Sequence, residues 1–483
     1  MIIAYQPIFF SSGLFLTALS FAMIAPGLLD YFSDDINWQA FAISSSITGF
    51  SGLLLTFAAK PTSTNKISVR DTFLLTTFNW LSLAFFAALP FIFSNSTNTL
   101  TDSFFEAISG LTTTGATVIR NLNYASSGIL LWRAILQWLG GIGIVVMALT
   151  IMPILRIGGM QLFRNEFSDR SEKILPKVSQ IASAIFGTYL FFTILCGLAL
   201  WGAGMSWFDA ICHAMTTLST GGFSTYESSI AYFDSVAIEI ILMFFMTIGG
   251  ITLILFVRCF QGDITSLFKD QQVRAFLYIM LVATLSITLW LWSQDYFIID
   301  ALRHAAFQAV SVMSTTGFVS TNYTLWGSFP ALILLILMLI GGCTGSTAGG
   351  IKIFRYQVMF ATAKSNIQQL RRPHGVFLPL YNNRQIPEGI FLSVFTFLGL
   401  FFISLGFLSL GLALYDFDIF NCLSIALACL NNVGAGFGTL VSYTGDYASL
   451  PTGAKYLLMI GMILGRLEYI TVLIIFSFKF WRD

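Results

Sequence analysis

Leu111-Thr-Thr-Thr-Gly-Ala-Thr117, Leu218-Ser-Thr-Gly-Gly-Phe-Ser224, Met313-Ser-Thr-Thr-Gly-Phe-Val319 and Leu430-Asn-Asn-Val-Gly-Ala-Gly436 are four variations on one phrase. Each follows a short, half-apolar segment and precedes a long apolar run. A tight glycine-centred turn rich in small polar residues, repeated four times between membrane-length runs, reads as four pieces of one ring. Such a ring presents backbone carbonyls to a dehydrated cation, and an ion-selective pore is the leading reading.

Composition supports the setting. Of 483 residues, 56% are hydrophobic and 10% charged, and mean hydropathy is +0.81. Soluble domains carry about a quarter charged residues and fewer than half apolar ones. The excess belongs in a bilayer, where each helical span needs about 20 apolar residues. A net charge of +1 with no basic arm offers nothing to nucleic acid. The six cysteines form no CxxC pair, and only Cys212 has a histidine beside it, so they read as small apolar residues and no transition metal is expected. The apolar N-terminus lacks a basic leader and a small-residue cleavage site, and it reads as a spanning helix.

Runs of spanning length fall near 8–29, 38–59, 72–93, 128–151, 178–203, 234–257, 273–293, 328–345, 388–414 and 453–480. Shorter apolar segments at 102–113, 208–219, 303–315 and 419–430 cannot span, but each can enter the membrane and return. The unit is span, half-helix, glycine turn, span. Counting back nine positions from Gly115, Gly222 and Gly317 gives Glu106, His213 and Gln308; thirteen positions back lie Asp102, Asp209 and His304. From Gly434 the same steps reach Ile425 and Asn421, so the fourth unit has drifted. The expected fold is an all-α polytopic membrane protein with two N-terminal helices (1–70) and four pseudo-fourfold repeats at 71–177, 178–270, 271–385 and 386–483.

Of the 24 Lys and Arg residues, all but Arg120, Arg133, Arg303, Lys455 and Arg466 lie at the C-terminus or in loops after the second, fourth, sixth and eighth long runs. The positive-inside tendency makes those loops and both termini cytoplasmic. All four glycine phrases then open to the outside.

Irregular backbone at membrane depth survives only where protein buries it or where it lines an aqueous cavity. Inward-facing carbonyls on successive residues need dihedrals that a side chain disfavours, which explains the glycines. Half-helices that end at the turns add the negative end of their dipoles. The candidate filter is Thr113, Thr114 and Gly115; Thr220, Gly221 and Gly222; Thr315, Thr316 and Gly317; and Asn432, Val433 and Gly434. The alternative is an ordinary glycine-terminated helix end, and four copies in register argue against it.

A second unusual stretch, Gly341-Gly-Cys-Thr-Gly-Ser-Thr-Ala-Gly-Gly-Ile351, holds too many glycines for a lipid-facing helix. Gly341, Gly342, Thr344, Gly345, Ser346, Thr347, Gly349 and Gly350 are expected to form a gating loop beneath the third turn; a passive packing break is the alternative. A phosphate-binding loop fits poorly, because Ile351 separates Gly350 from Lys352 and no GK[ST] follows. Arg466, near the middle of the last span, is expected to face the pore as a positive barrier, with an interhelical salt bridge as the bland alternative. Glu468, two residues on, is a poor intrahelical partner for it.

With these residues in view, the chain resembles the Trk/Ktr/HKT superfamily of potassium transport proteins, closest to its bacterial TrkH branch. The resemblance rests on the fourfold phrase, on GGCTGSTAGGIKIFR at 341–355 and on the N-terminal helix pair. It implies a potassium-permissive site at Gly115, Gly222, Gly317 and Gly434, with K+ as the transported ion and no other cofactor. It also implies a loop under the filter, an arginine in the last span, a homodimer in the bacterial inner membrane and a cytosolic ring of TrkA-type nucleotide-binding regulatory subunits. Serine at the first glycine position accompanies sodium preference in some plant relatives; this chain has Gly115. Ala435 stands where proline is frequent. The competing class is a secondary symporter coupling K+ to H+ or Na+, which repeats of one orientation and a path without a central carboxylate disfavour. An enzyme finds no support: no histidine cluster, DKTG or zinc motif is present.

Overall fold

Seven helices among the described residues are long and apolar enough to cross a bilayer, and two further pairs do so only as sharply bent halves. This computed structural model describes residues 5–59, 68–150, 178–382, 384–438, 440–441 and 443–482. The basic residues Lys60, Lys66, Arg156, Arg164, Arg170, Lys173 and Lys177, used above for orientation, lie outside them. The described chain is mostly helical; Leu380–Tyr381 and Arg384–Gln385 form one short antiparallel hairpin.

Two N-terminal helices, Tyr5–Phe32 and Trp38–Ala58, pack as a pair against the first unit. Their small residues permit close contact: Cβ atoms added at Gly13 or Gly52 would meet the partner backbone. Four half-helices follow in chain order: Leu100–Leu111, Trp207–Leu218, Ile298–Met313 and Ile419–Leu430. Each ends at a glycine phrase, and three of the four start at a polar cap. Thr99 accepts from Asp102 N, Ser206 from Asp209 N, and Asp418 from Phe420 N, while Ile298–Met313 has no side-chain cap. Unlike most buried segments of this length, they carry polar side chains, and those residues brace the chain after each turn.

The helices before the half-helices are straight spans, apart from a break at Ala88 beside Pro90 in Val69–Phe93. Those after the turns depart from expectation. The sequence predicts unbroken spans at 234–257 and 453–480, yet the first breaks by 97° between Gly250 and Leu253, and the second by 111° between Arg466 and Ile470. The third, expected over 328–345, ends at Ile340 and resumes only at Ile353. Only Ser127–Thr150 runs without a break. Hydropathy sees neither the second nor the fourth break, because apolar residues flank them closely, whereas the third falls on the glycine-rich stretch at 341–351 that the sequence singles out.

The core is an apolar mass between the four units, and large side chains such as Phe21, Phe244, Phe402 and Leu410 point outward. Exposed aromatics along spans of this length are ordinary where the surroundings are hydrocarbon.

Candidate cation site

The backbone of the four turns repeats itself. Thr113, Thr220, Thr315 and Asn432 have φ of 55°, 50°, 60° and 54°, and Gly115, Gly222, Gly317 and Gly434 have φ of 81°, 74°, 81° and 73°. The residue between each pair stays at negative φ. Left-handed residues two apart reverse the direction of peptide groups that would otherwise alternate, so carbonyls gather on one side. A β-carbon at each glycine would collide with a carbonyl of the next unit. Gly115 faces Gly221 O, Gly222 faces Thr316 O, Gly317 faces Val433 O, and Gly434 faces Thr114 O. The fourth unit returns to the first, and the ring is closed.

Its oxygens fall into two classes. The carbonyls of Thr113, Thr220, Thr315 and Asn432 accept no hydrogen bond from the described residues. Deeply buried carbonyls are normally paired, and four unpaired ones at equivalent positions make an oxygen ring suited to a desolvated cation. The oxygens one residue on are partly engaged: Gly221 O accepts from Gln137 Nε2 at 2.6 Å, and Val433 O from Ala435 N at 2.9 Å.

Side chains hold the ring from behind. Glu106, buried, pairs with Arg133 Nε at 2.7 Å and accepts from Thr117 Oγ1 and Val118 N. Arg133 donates onward to Ser224 O, and its guanidinium lies over the Phe223 ring at 4.0 Å. His213 Nε2 lies 3.0 Å from Ser224 Oγ, Ser311 Oγ donates to Phe318 O at 2.6 Å, and Ser424 Oγ accepts from Phe437 N. In each unit, then, the half-helix grips the segment just past its own turn. Gln308, which holds the register position of Glu106 and His213 in the third unit, has no side-chain hydrogen-bond partner among the described residues, and Ser311 braces that unit. Asp102 pairs with Lys455 at 2.6 Å and joins the first unit to the fourth. Asn432 Nδ2 reaches Thr114 Oγ1 at 2.9 Å and Met462 O at 3.0 Å, so the fourth unit's missing threonine is replaced by an amide that ties ring to helix. A mouth cavity of about 380 Å³ adjoins the ring, lined by Gly115, Gly222, Arg120, Glu227 and Asp446.

Residues 341–352 form the expected irregular stretch, though it reaches more than the third turn. Gly349 N donates to Thr315 Oγ1 at 2.8 Å; Thr347 Oγ1 lies 2.9 Å from Leu218 O and 3.0 Å from Gly249 O; and a Cβ on Gly349 would strike Asn431 O. The stretch therefore touches the second, third and fourth units. Its backbone is satisfied largely by the break in the second: Cys343 N donates to Gly250 O, Thr252 Oγ1 to Thr344 O, and Thr344 N to Gln272 Oε1. Gly342 and Gly350 lie too close to Ala348 and Gly341 for a side chain, and Gly341, Gly345 and Gly350 have φ of 70°, 79° and 78°. Ser346 closes its own turn on Cys343 O.

Arg466 is 3% exposed and has no carboxylate partner among the described residues, contrary to the salt-bridge alternative. It donates to Thr347 O at 3.0 Å and to Gly140 O at 3.2 Å, bridging the loop to the first unit's unbroken helix. Glu468 does pair, across helices, with Lys352 Nζ at 3.5 Å and with Arg355 Nη2. The Arg355 guanidinium also stacks 3.6 Å from the Phe397 ring. The break after Arg466, with Glu468 and Tyr469 at φ of 60° and 46°, lets Arg466 reach Thr347 in the middle of the loop and Glu468 reach Lys352 at its C-terminal end. Sequence reasoning found Arg466 but not the partners of Glu468, nor Gln137. A mid-span carboxylate in a chain with so few charges was the available signal for the first; Gln137, one amide on an apolar helix, gave none.

A family model described as a cation transport protein, TrkH, matches residues 37–482. The Trk system potassium uptake protein TrkI of Halomonas elongata is 40% identical over 412 residues, 85% of this chain and 84% of that protein. The Trk system potassium uptake protein TrkH of Escherichia coli K12 is 35% identical over 477 residues, 98% of each. The crystal structure of the potassium transporter TrkH from Vibrio parahaemolyticus matches with a TM-score of 0.91 at 34% identity, covering 99% of this chain and all of that one.

Proposed function

Because the chain belongs to the TrkH family of cation transport proteins, we propose that it takes up potassium across the bacterial inner membrane through a channel-like pore. The observation that carries this reading is the closed ring of four turns with unpaired carbonyls at Thr113, Thr220, Thr315 and Asn432. A K+ ion at this ring exchanges its water oxygens for carbonyls that already lack partners. The loop at 341–352 lies across the path and gates it, and Arg466, at the end of a helix of the fourth unit, holds the loop closed by tying it to the first unit.

Both termini are cytoplasmic in this reading. The helix Ile353–Arg371 then faces the cytosol with Lys364, Arg371 and Leu370 exposed. That face suits a cytosolic nucleotide-binding regulatory ring of TrkA type, and the functional unit is a homodimer.

The test is cation flux into proteoliposomes for the wild type and Gly115→Ser. Currents reversing at the potassium equilibrium potential, with weakened K+ over Na+ preference in the variant, support the reading. Reversal that tracks pH indicates coupling to protons instead, and an unaltered preference in the variant removes Gly115 from the filter.

A further inference from the structure

The glycine-level carbonyls of the ring are unequal. Those of Gly115, Gly222 and Gly317 accept no hydrogen bond from the described residues, whereas Gly434 O accepts one from the Tyr447 hydroxyl at 2.9 Å. Tyr447 is fully buried, its ring 5.6 Å from that of Phe105 and its hydroxyl 3.8 Å from Cys429 Sγ. Its position is fixed by the backbone as well as by packing. Tyr447 N donates to Thr117 O at 2.8 Å, and Thr117 N donates to Gly445 O at 2.9 Å. Residues 445–447 are thus a strap that leaves the fourth turn and is stitched to the segment past the first. Gly445 lies so close that a Cβ there would sit 3.2 Å from Gly434 O and 3.6 Å from Gly115 O. The other buried tyrosine nearby, Tyr323, donates to Gly436 O at 2.7 Å, two residues beyond the ring, and leaves its oxygens untouched.

We propose that Tyr447 is a specificity-determining positioning residue: its hydroxyl lowers the field strength of the fourth glycine carbonyl and so sets the ion preference of the ring. The proposal rests on the cation-pathway reading above. An O–H donor occupies one lone pair of the Gly434 oxygen and places positive charge beside it. The glycine level then offers three full-strength oxygens and one weakened one. A ring of lower field strength recovers less of the dehydration cost of a small, strongly hydrated cation than of a larger one, because field strength and oxygen number together set the preference. The sequence departs from its own pattern in the same unit, where Asn432 and Val433 replace the threonines. The fourth unit contributes to the ring differently, and Tyr447 is the residue that makes the difference chemical.

Tyr447→Phe removes the hydroxyl and keeps the ring, so the packing against Phe105 survives. Reversal potentials measured with K+ on one side and Na+ or Rb+ on the other report the relative permeabilities of the reconstituted protein. The loss of one ordinary hydrogen bond corresponds to about fivefold in a binding ratio, and Na+ is expected to gain on K+ by that factor in the variant. Thermal stability in detergent without K+ or Na+ should fall only by the worth of that one hydrogen bond, while the concentrations of Na+ and K+ that stabilise the protein should move closer together. Unchanged permeability ratios together with unchanged cation-dependent stabilisation overturn the proposal, whatever happens to the melting temperature. A wild type that passes no cation fails the transport reading itself; a wild type selective for K+ with an equally selective variant fails only the role given to Tyr447.

Discussion

The turn and the helix after it belong to the same unit, yet across the four units the turns match and the helices do not. Each turn places left-handed residues at the same two positions, and each leans on a carbonyl of its neighbour in cyclic order. The helix after the first turn is unbroken, the second bends by 97°, the third opens into residues 341–352, and the fourth bends by 111°. On the proposed function, the difference means that two tasks with opposite symmetry requirements share this chain. Equal coordination of a small sphere calls for four equal pieces. A movable obstruction at the centre has to come from one piece, and the others must reshape themselves to hold it. The second helix breaks where the loop docks, and the fourth breaks where Arg466 and Glu468 clasp it.

Substitution at the matching positions is the hardest blow to the symmetric half. Gly222→Ala forces a side chain into the left-handed region and into the Thr316 carbonyl. Strain and overlap together are expected to cost about 4 kcal/mol, on the order of a thousandfold in the population of the intact ring. Proteoliposome flux should be lost, and Gly434→Ala should do the same. A large gap between the two would show that the ring is less symmetric in function than in backbone.

Glu468→Gln strikes the unsymmetric half. It leaves Lys352 and Arg355 buried beside an amide, and removing one partner of a buried ion pair costs about 3 kcal/mol. Thermal unfolding should report that loss. Full stability would mean that the clasp is neutral and that water reaches Lys352.

Arg466→Ala follows in size. It removes two charge-assisted hydrogen bonds but also relieves a buried guanidinium, for a net effect of about 1.5 kcal/mol, or tenfold, in favour of a released loop. Flux should rise by that factor with K+ preference intact. An unchanged rate would break the idea that the fourth helix restrains the third.

The symmetric half was legible in the sequence and the unsymmetric half only in part, for a physical reason. A left-handed turn at membrane depth needs glycine and small polar residues, and those leave a visible phrase in each unit, even where Asn432 stands for threonine. The polar residues Glu106 and His213 also announced themselves, because a buried polar group on an apolar half-helix must have a partner. The third break left the glycine-rich phrase at 341–351, but the breaks in the second and fourth inner helices carry no such mark. Gly250 and Ile251 continue an apolar run, and what bends the chain there is the docked loop from a unit about ninety residues away. Gln308 marks the converse limit: its register position matched its counterparts, yet Ser311 does the bracing. Tyr447 gave no signal, since its importance lies in a hydroxyl meeting one carbonyl across thirteen residues.

The smallest expected effect tests the contact where the two halves meet. Thr347 belongs to the loop, while Leu218 ends the second half-helix and Gly249 precedes the second break, and one hydroxyl lies within hydrogen-bond distance of both carbonyls. Thr347→Val keeps the branched shape and deletes only the hydroxyl, so the loop loses a hydrogen bond without a cavity. The net loss is about 1 kcal/mol, roughly fivefold in the balance between docked and released loop. Flux should rise modestly, less than for Arg466→Ala, because the arginine bridges to a different unit while Thr347 only pins the loop where it already docks. The two effects should not add. Arg466 binds the carbonyl of Thr347 itself, so both substitutions loosen one residue, and the double variant should fall short of the product of the single effects. Full additivity would mean that Thr347 is held by its neighbours independently of the arginine, and the unsymmetric half would then be two separate devices and not one.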